Sequence, residues 1–213
     1  LNRLNFLKDQ IKPFYKLQKD PAHDWNHVLR VENNGLLICQ SENTDPELVR
    51  AAIYCHDLVN LPKDHPERKK ASEYSANKAV PLLKELKYSE EEIQIICQGI
   101  IQHSFSRGEK PQSIIAQIVQ DADRLDALGA IGIVRCAVTS AKLNSSLYHF
   151  EDPLGEKRIL DDKKFMLDHY FSKLFLLPEL MNTASAKKIA YERVLFMKSF
   201  LTTFSKEITL CGS

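Results

Sequence analysis

Residues 45–57 read DPELVRAAIYCHD, and the rest of the chain is interpreted outward from them. Asp45 before Pro46 is a helix start, because the aspartate oxygen accepts a first-turn N–H and proline lacks the N–H that this position would leave orphaned. Leu48, Ala51, Ala52 and Cys55 then recur at spacings of three and four, the period of a helix buried on one face. At the far end stands His56-Asp57. Neighbouring side chains on a helix point about 100° apart, yet two at a helix end can converge on one ion because the last turn can adjust. A neutral imidazole beside a carboxylate suits a divalent ion such as Mn, Fe, Ni, Co or Zn. A buried aspartate without a metal or a basic partner would be costly.

The same period continues through Val28, Val31, Gly35 and Ile38, and Ser89 with Glu92 forms the signature of a capping box. The pattern predicts helices near 2–18, 24–42, 46–57, 66–86, 90–103, 111–120, 122–144, 162–177 and 183–208. Two stretches are predicted as long loops, 58–65 and 145–162. Glycine and proline supply only 16 of 213 residues, fewer than the roughly 12% of an average chain, which disfavours a sandwich or barrel. An all-α chain of one domain is expected, with a core at about 20–145 and a helical extension at about 146–208.

Composition excludes several functions. Lys+Arg number 29 against 28 Asp+Glu, a net charge of +1, so no overall basic field exists to hold nucleic acid. The longest apolar run, Leu128 to Val134, is far short of the roughly 20 residues a membrane helix needs. The N-terminal stretch lacks the apolar core of an export signal. Cys39, Cys55, Cys97, Cys136 and Cys211 are odd in number and widely spaced, as expected for reduced thiols in a cytoplasmic protein.

The chemistry-bearing residues are histidines and aspartates. His27 lies in the helix pattern HDWNHVLRV, 29 residues before His56, and Asp123 lies in VQDADRLDALGA, 66 residues after Asp57. His, His-Asp and Asp thus fall on three separate apolar helices. His-Asp alone is a weak signal, since His23-Asp24 repeats it.

The pattern H…HD…D resembles the HD-domain superfamily of metal-dependent phosphohydrolases. The segments AHDWNHVLRV (22–31), YCHDLVNLPKDHPERKKAS (54–72), IIQHSFS (100–106), IVQDADRLDALGAIG (118–132) and LDDKKFMLDHYFSKL (160–174) are similar to those of the small YedJ-like and YpgQ-like bacterial hydrolases. The resemblance implies an HD-domain helical bundle with additional C-terminal helices. It implies one divalent ion held by His27, His56, Asp57 and Asp123, with Mn favoured and Mg, Ni, Co, Fe or Zn as alternatives. Asp123 is chosen over its neighbours Asp121 and Asp126 because it occupies the Asp of the Ala-Asp-Arg-Leu stretch. His23-Asp24 is then either a helix entry capped by Asp24 or a support for the ligands.

The implied activity is hydrolysis of a phosphoric ester or anhydride, and within the subfamily conversion of (deoxy)nucleoside triphosphates to monophosphates and pyrophosphate. Asp57 is expected to orient or deprotonate the attacking water. His103 is expected to act as a general acid or phosphate contact, or else to be structural. Lys63, His65, Arg68, Arg107, His169 and Lys173 are candidate phosphate contacts, each with a surface charge or a structural role as its alternative reading. Asn60-Leu61 stands where alarmone hydrolases carry Glu-Asp, and no Gly-Tyr-Pro motif of cyclic-dinucleotide phosphodiesterases occurs. A metal-containing binding or sensing module, or action on another phosphate ester, are the alternatives. A monomer or homodimer is expected.

Overall fold

The structure, a computed structural model, describes residues 2–17, 22–61, 65–104 and 107–209. Among these the architecture is all-α, with no strand beyond an isolated parallel bridge between Ser146 and Phe165. The helices are α1 (Arg3–Leu17), α2 (Trp25–Ser41), α3 (Pro46–Cys55), α4 (Ala71–Glu85), α5 (Glu90–Gln102), α6 (Ile114–Asp126), α7 (Gly129–Lys142), α8 (Asp168–Ser172) and α9 (Ala184–Thr209). Short 3₁₀ segments occupy Arg68–Lys70 and Leu174–Leu180. Packing groups the chain into two compact units, Leu1–Asp123 and Arg124–Ser213. That division falls inside α6. No described helix is long and apolar enough to cross a membrane.

In the first unit α3 is the hub, packing against α1, α2 and α5. Its last five residues, Ala51 to Cys55, are all fully buried, so its end is apolar all round rather than along one stripe. The start signals operate as expected: Asp45 accepts the Glu47 N–H at 2.9 Å, and Ser89 and Glu92 exchange the two bonds of a capping box. Gly35 lets α2 close on α3, because a Cβ there would stand 2.7 Å from Ile53 Cδ1. Glu32 of α2 is buried and ties three helices together. It accepts from Tyr54 at 2.5 Å, Arg50 Nε at 2.8 Å and Lys8 at 3.1 Å. Burial alone would push its carboxyl up, but the bonds from Tyr54, Arg50 and Lys8 outweigh burial and hold it below the ordinary range.

The second unit departs from the expected elements in two places. The helix expected over 122–144 is broken after Asp126, while α6 runs uninterrupted through the boundary expected at 121. Gly129, at φ 74°, and Gly132 make the break: a Cβ on Gly132 would stand 2.2 Å from the Ala127 carbonyl oxygen. The helix expected over 162–177 is reduced to α8 and a 3₁₀ segment. Its N–H groups are already taken, those of Lys163 and Lys164 by the Asp161 carboxylate and those of Met166 and Leu167 by the carbonyls of Ser146 and Leu147. The loop 145–167 is further fixed by Arg158, which meets the buried Asp168 carboxylate at 2.5 and 2.6 Å. Cys39, Cys55, Cys97 and Cys136 are free thiols, and Cys211 lies outside the described residues.

Glu32→Gln is expected to lower unfolding stability by roughly 1–3 kcal/mol in urea denaturation, since the charged bonds are lost while shape is kept. With the Glu32 carboxyl held down in the fold, its contribution is present above the ordinary value of 4.5 and fades as pH falls below it. The variant should therefore lack that part of the acid limb of the wild-type stability curve. Gly132→Ala should cost about 1–3 kcal/mol in the same assay, because the clash is with backbone rather than a movable side chain.

Candidate metal centre

Four elements of the first unit bring their chemistry to one place. His27 sits in the first turn of α2, where Asp24 caps the helix by accepting the His27 N–H at 2.9 Å. This is the helix-entry role expected of Asp24. His56 caps the C-terminus of α3, with Asp57 next in the chain. His103 caps α5 in the same way. Asp123 lies in α6, past the buried Val119 and Ala122.

His27 Nε2 lies 3.3 Å from His56 Nε2 and 3.5 Å from Asp123 Oδ1. His56 Nε2 is 3.5 Å from Asp57 Oδ2, and the other oxygen of Asp57 is 3.8 Å from His103 Nε2. The His56 and His103 rings meet edge to face with centroids 4.9 Å apart, and His23 stands against His27 at 5.6 Å. His27, His56 and His103 are buried. Burial alone would raise the Asp57 carboxyl, but the imidazoles of His56, His23, His103 and His27 together outweigh it and hold it well below the usual carboxylate range. Asp123 is held down in the same way by His27, His56 and His103, against burial and the like charge of Asp57.

The donor set fits a divalent ion. His56 Nδ1 and His103 Nδ1 each stand 2.6 Å from a carbonyl one turn back, Ile53 and Ile100 respectively. A carbonyl only accepts, so both rings carry their proton on Nδ1 and turn the Nε2 lone pair toward the site. Two ligand nitrogens about 2.1 Å from one ion and at right angles to each other stand about 3 Å apart, close to the separation of His27 and His56. One ring nitrogen of each and an Asp57 oxygen all lie within 4.8 Å of one another.

Three supporting residues carried no expectation from the sequence. Asn34 of α2, buried seven residues after His27, donates its amide to the Ala122 carbonyl at 3.0 Å and fixes the backbone next to Asp123. Gln120 gives its amide to the Gln102 carbonyl at 2.8 Å, holding the end of α5 beside His103. Tyr15 of α1 donates to the Tyr54 carbonyl at 3.1 Å and accepts the Asp57 N–H at 3.3 Å. The signal for Asn34 is an amide one turn from Val31 and Ile38 on the buried face of α2, whereas nothing in the sequence links Gln120 to Gln102 or Tyr15 to Asp57.

The candidate phosphate contacts are placed as follows. His65 Nδ1 accepts the Glu67 N–H at 3.1 Å within its own turn. Arg68 donates to Asn60 Oδ1 at 2.7 Å and to the Leu61 carbonyl. Arg107 pairs with Glu73, and with Glu109 at 2.7 Å. His169 and Lys173 belong to the second unit, where His169 Nδ1 stands 2.9 Å from Asp162 Oδ2. Lys63 lies outside the described residues.

The HD domain family pattern matches residues 24–128, the span that includes all four expected ligands. The chain belongs to the HD family. It is 33% identical over 188 residues to the protein YpgQ of Bacillus subtilis, covering 88% of this chain and 85% of that one. The crystal structure of Bacillus subtilis YpgQ in complex with ADP superposes with a TM-score of 0.74 at 28% identity, over 96% of this chain and 94% of that chain. An HD-superfamily hydrolase from Bacillus thuringiensis superposes at 0.75 with 29% identity, over 96% and 95%. The fold is therefore that of the HD-superfamily hydrolases, and membership implies a divalent metal.

Asn34→Ala is expected to lower unfolding stability by about 1–3 kcal/mol, because the buried Ala122 carbonyl loses its amide partner. Urea denaturation of the metal-free protein measures it without interference from ligand binding.

Proposed function

We propose that the chain is a metal-dependent phosphohydrolase that converts nucleoside or deoxynucleoside triphosphates to monophosphates and pyrophosphate. The observation that carries this reading is the convergence of His27, His56, Asp57 and Asp123, with the His56 and His103 lone pairs preset by backbone carbonyls. These four residues would hold one divalent ion, Mn²⁺ by preference. When bound, such an ion acidifies a water and polarises a phosphoryl group.

Asp57 remains a carboxylate at neutral pH, and the oxygen that faces His103 orients the attacking water by accepting its hydrogen bond. Burial, the largest influence, holds the His103 ring below its ordinary value. With its Nδ1 turned to the Ile100 carbonyl, His103 presents Nε2 to the site. General acid or phosphate contact through Nε2 is its proposed role. In the first unit the phosphate cations are drawn from Lys63, His65, Arg68 and Arg107, and His169 and Lys173 are candidates within the second unit. Arg68 and Arg107 would have to exchange their present carbonyl and carboxylate partners for phosphate oxygens. A nucleotide substrate is supported by the relative solved with ADP. A cytoplasmic monomer or homodimer with a single HD domain completes the proposal.

Chromatography of products after incubation with Mn²⁺ and a panel of NTPs, dNTPs and generic phosphate esters is the test. Monophosphate plus pyrophosphate is expected, with Asp57→Ala inactive; release of inorganic phosphate alone would move the attack to the terminal phosphorus, and an active Asp57→Ala would overturn the mechanism. Saturating Mn²⁺ at 100 times its Kd should stabilise the wild type by about 2.7 kcal/mol in thermal denaturation. His27→Ala and Asp57→Ala should lose that gain. Metal affinity should fall on acidification, because imidazoles bind metal only when deprotonated.

A further inference from the structure

The turn that presents His56 and Asp57 is held loosely by its own backbone. The His56 N–H reaches Ile53 at 3.5 Å and the Leu58 N–H reaches Cys55 at 3.4 Å, both long i to i+3 bonds. Between them, the Asp57 N–H and the Tyr54 carbonyl are both met by the hydroxyl of Tyr15. A helix end leaves such groups orphaned unless something outside the helix satisfies them. Here one phenol serves as acceptor for the first and donor to the second.

Tyr15 is itself fixed. It is 1% exposed and packs on Trp25, which opens α2, at 5.8 Å between centroids. The helix that carries it is pinned elsewhere, by Arg3 to Glu47 and Glu92 and by Lys8 to Glu32. Tyr15 also lies outside residues 24–128, the segment matched by the HD family pattern.

We propose that Tyr15 is a positioning residue for the metal centre, supplied by α1 from outside the HD segment, whose hydroxyl fixes the backbone of Asp57 and so the direction of its carboxylate. The inference rests on the reading of Asp57 as a metal ligand. Without the hydroxyl the Asp57 N–H and the Tyr54 carbonyl separate or draw in water, and the carboxylate samples directions away from the His27 and His56 nitrogens. Partners that orient a ligand in this way are worth about 10- to 100-fold in metal affinity.

The test is titration of the full chain with Co²⁺, read by calorimetry and by the visible absorption of the bound ion, for wild type, Tyr15→Phe, Ile11→Val and Asp57→Ala. Ile11 is fully buried one turn before Tyr15, so Ile11→Val thins the packing of the same helix without touching the turn. Tyr15→Phe is expected to bind Co²⁺ about 10- to 100-fold more weakly with an altered spectrum, while Ile11→Val matches wild type in both. Wild-type affinity and spectrum in Tyr15→Phe, with no binding by Asp57→Ala, would overturn the role of Tyr15 alone. Wild-type binding by Asp57→Ala would overturn the metal-centre reading and this inference with it. Hydrogen exchange by NMR needs no variant: the Asp57 amide of the metal-free wild type should be protected, and exchange at the rate of a free amide would equally overturn the proposal.

Discussion

Two carboxylates and the lone pairs of buried imidazoles are gathered within a few ångströms at the closed end of α3, and this concentration of acceptors is the constraint on which the first unit depends. Placed together without a cation or oriented dipoles, such groups are unfavourable in an apolar surround. Imidazoles that take up a second proton relieve part of the cost through their positive charge, and it is this charge that draws the Asp57 and Asp123 carboxyls below their ordinary range despite burial. A divalent ion would relieve the rest, so the site is shaped for a charge that its own residues do not supply.

Keeping the acceptors in place requires a stiff frame, and the frame is made of backbone carbonyls and amides rather than ion pairs. Ile53 and Ile100 fix the ring protons of His56 and His103, Asp24 fixes the first turn of α2, Asn34 fixes α6 beside Asp123, and Gln120 fixes the end of α5. The contacts made by Asp24, His56, His103 and Gln120 lie at helix ends, where the helical ladder runs out, whereas Asn34 adds a bond to a carbonyl inside the last turns of α6. The strong ionic network, centred on Glu32, lies elsewhere on the same helices. It secures α1, α2 and α3 without drawing charge away from the centre.

Much of the fold was legible because helix periodicity and caps are local signals. Asp45-Pro46, Ser89 with Glu92, and Asp24 start helices where the pattern placed them, since each cap involves groups within three residues of one another. The misplaced elements lie where non-local contacts compete with local propensity. The segment 163–167 loses its helix to the local Asp161 carboxylate and to bonds with 146–147, partners twenty residues away. The break after Asp126 was written in Gly129 and Gly132, but a glycine declares a close approach only once the approaching carbonyl of Ala127 is seen.

For the centre itself, the sequence by itself determined the family and the residues that match its metal motif, because ligand chemistry demands particular side chains and these stand in a recognisable order along the chain. Which nitrogen of His56 and His103 faces inward, and what steadies Asp57, were decided only by the tertiary structure. Those features depend on carbonyls at helix ends and on a tyrosine 42 residues away. The same holds for Arg68 and Arg107, free cations by sequence, whose hydrogen bonds to Asn60 and Glu73 exist only after the chain has folded. Side-chain identity is a property of the chain, but the direction of a lone pair follows from where the fold puts its hydrogen-bond partner.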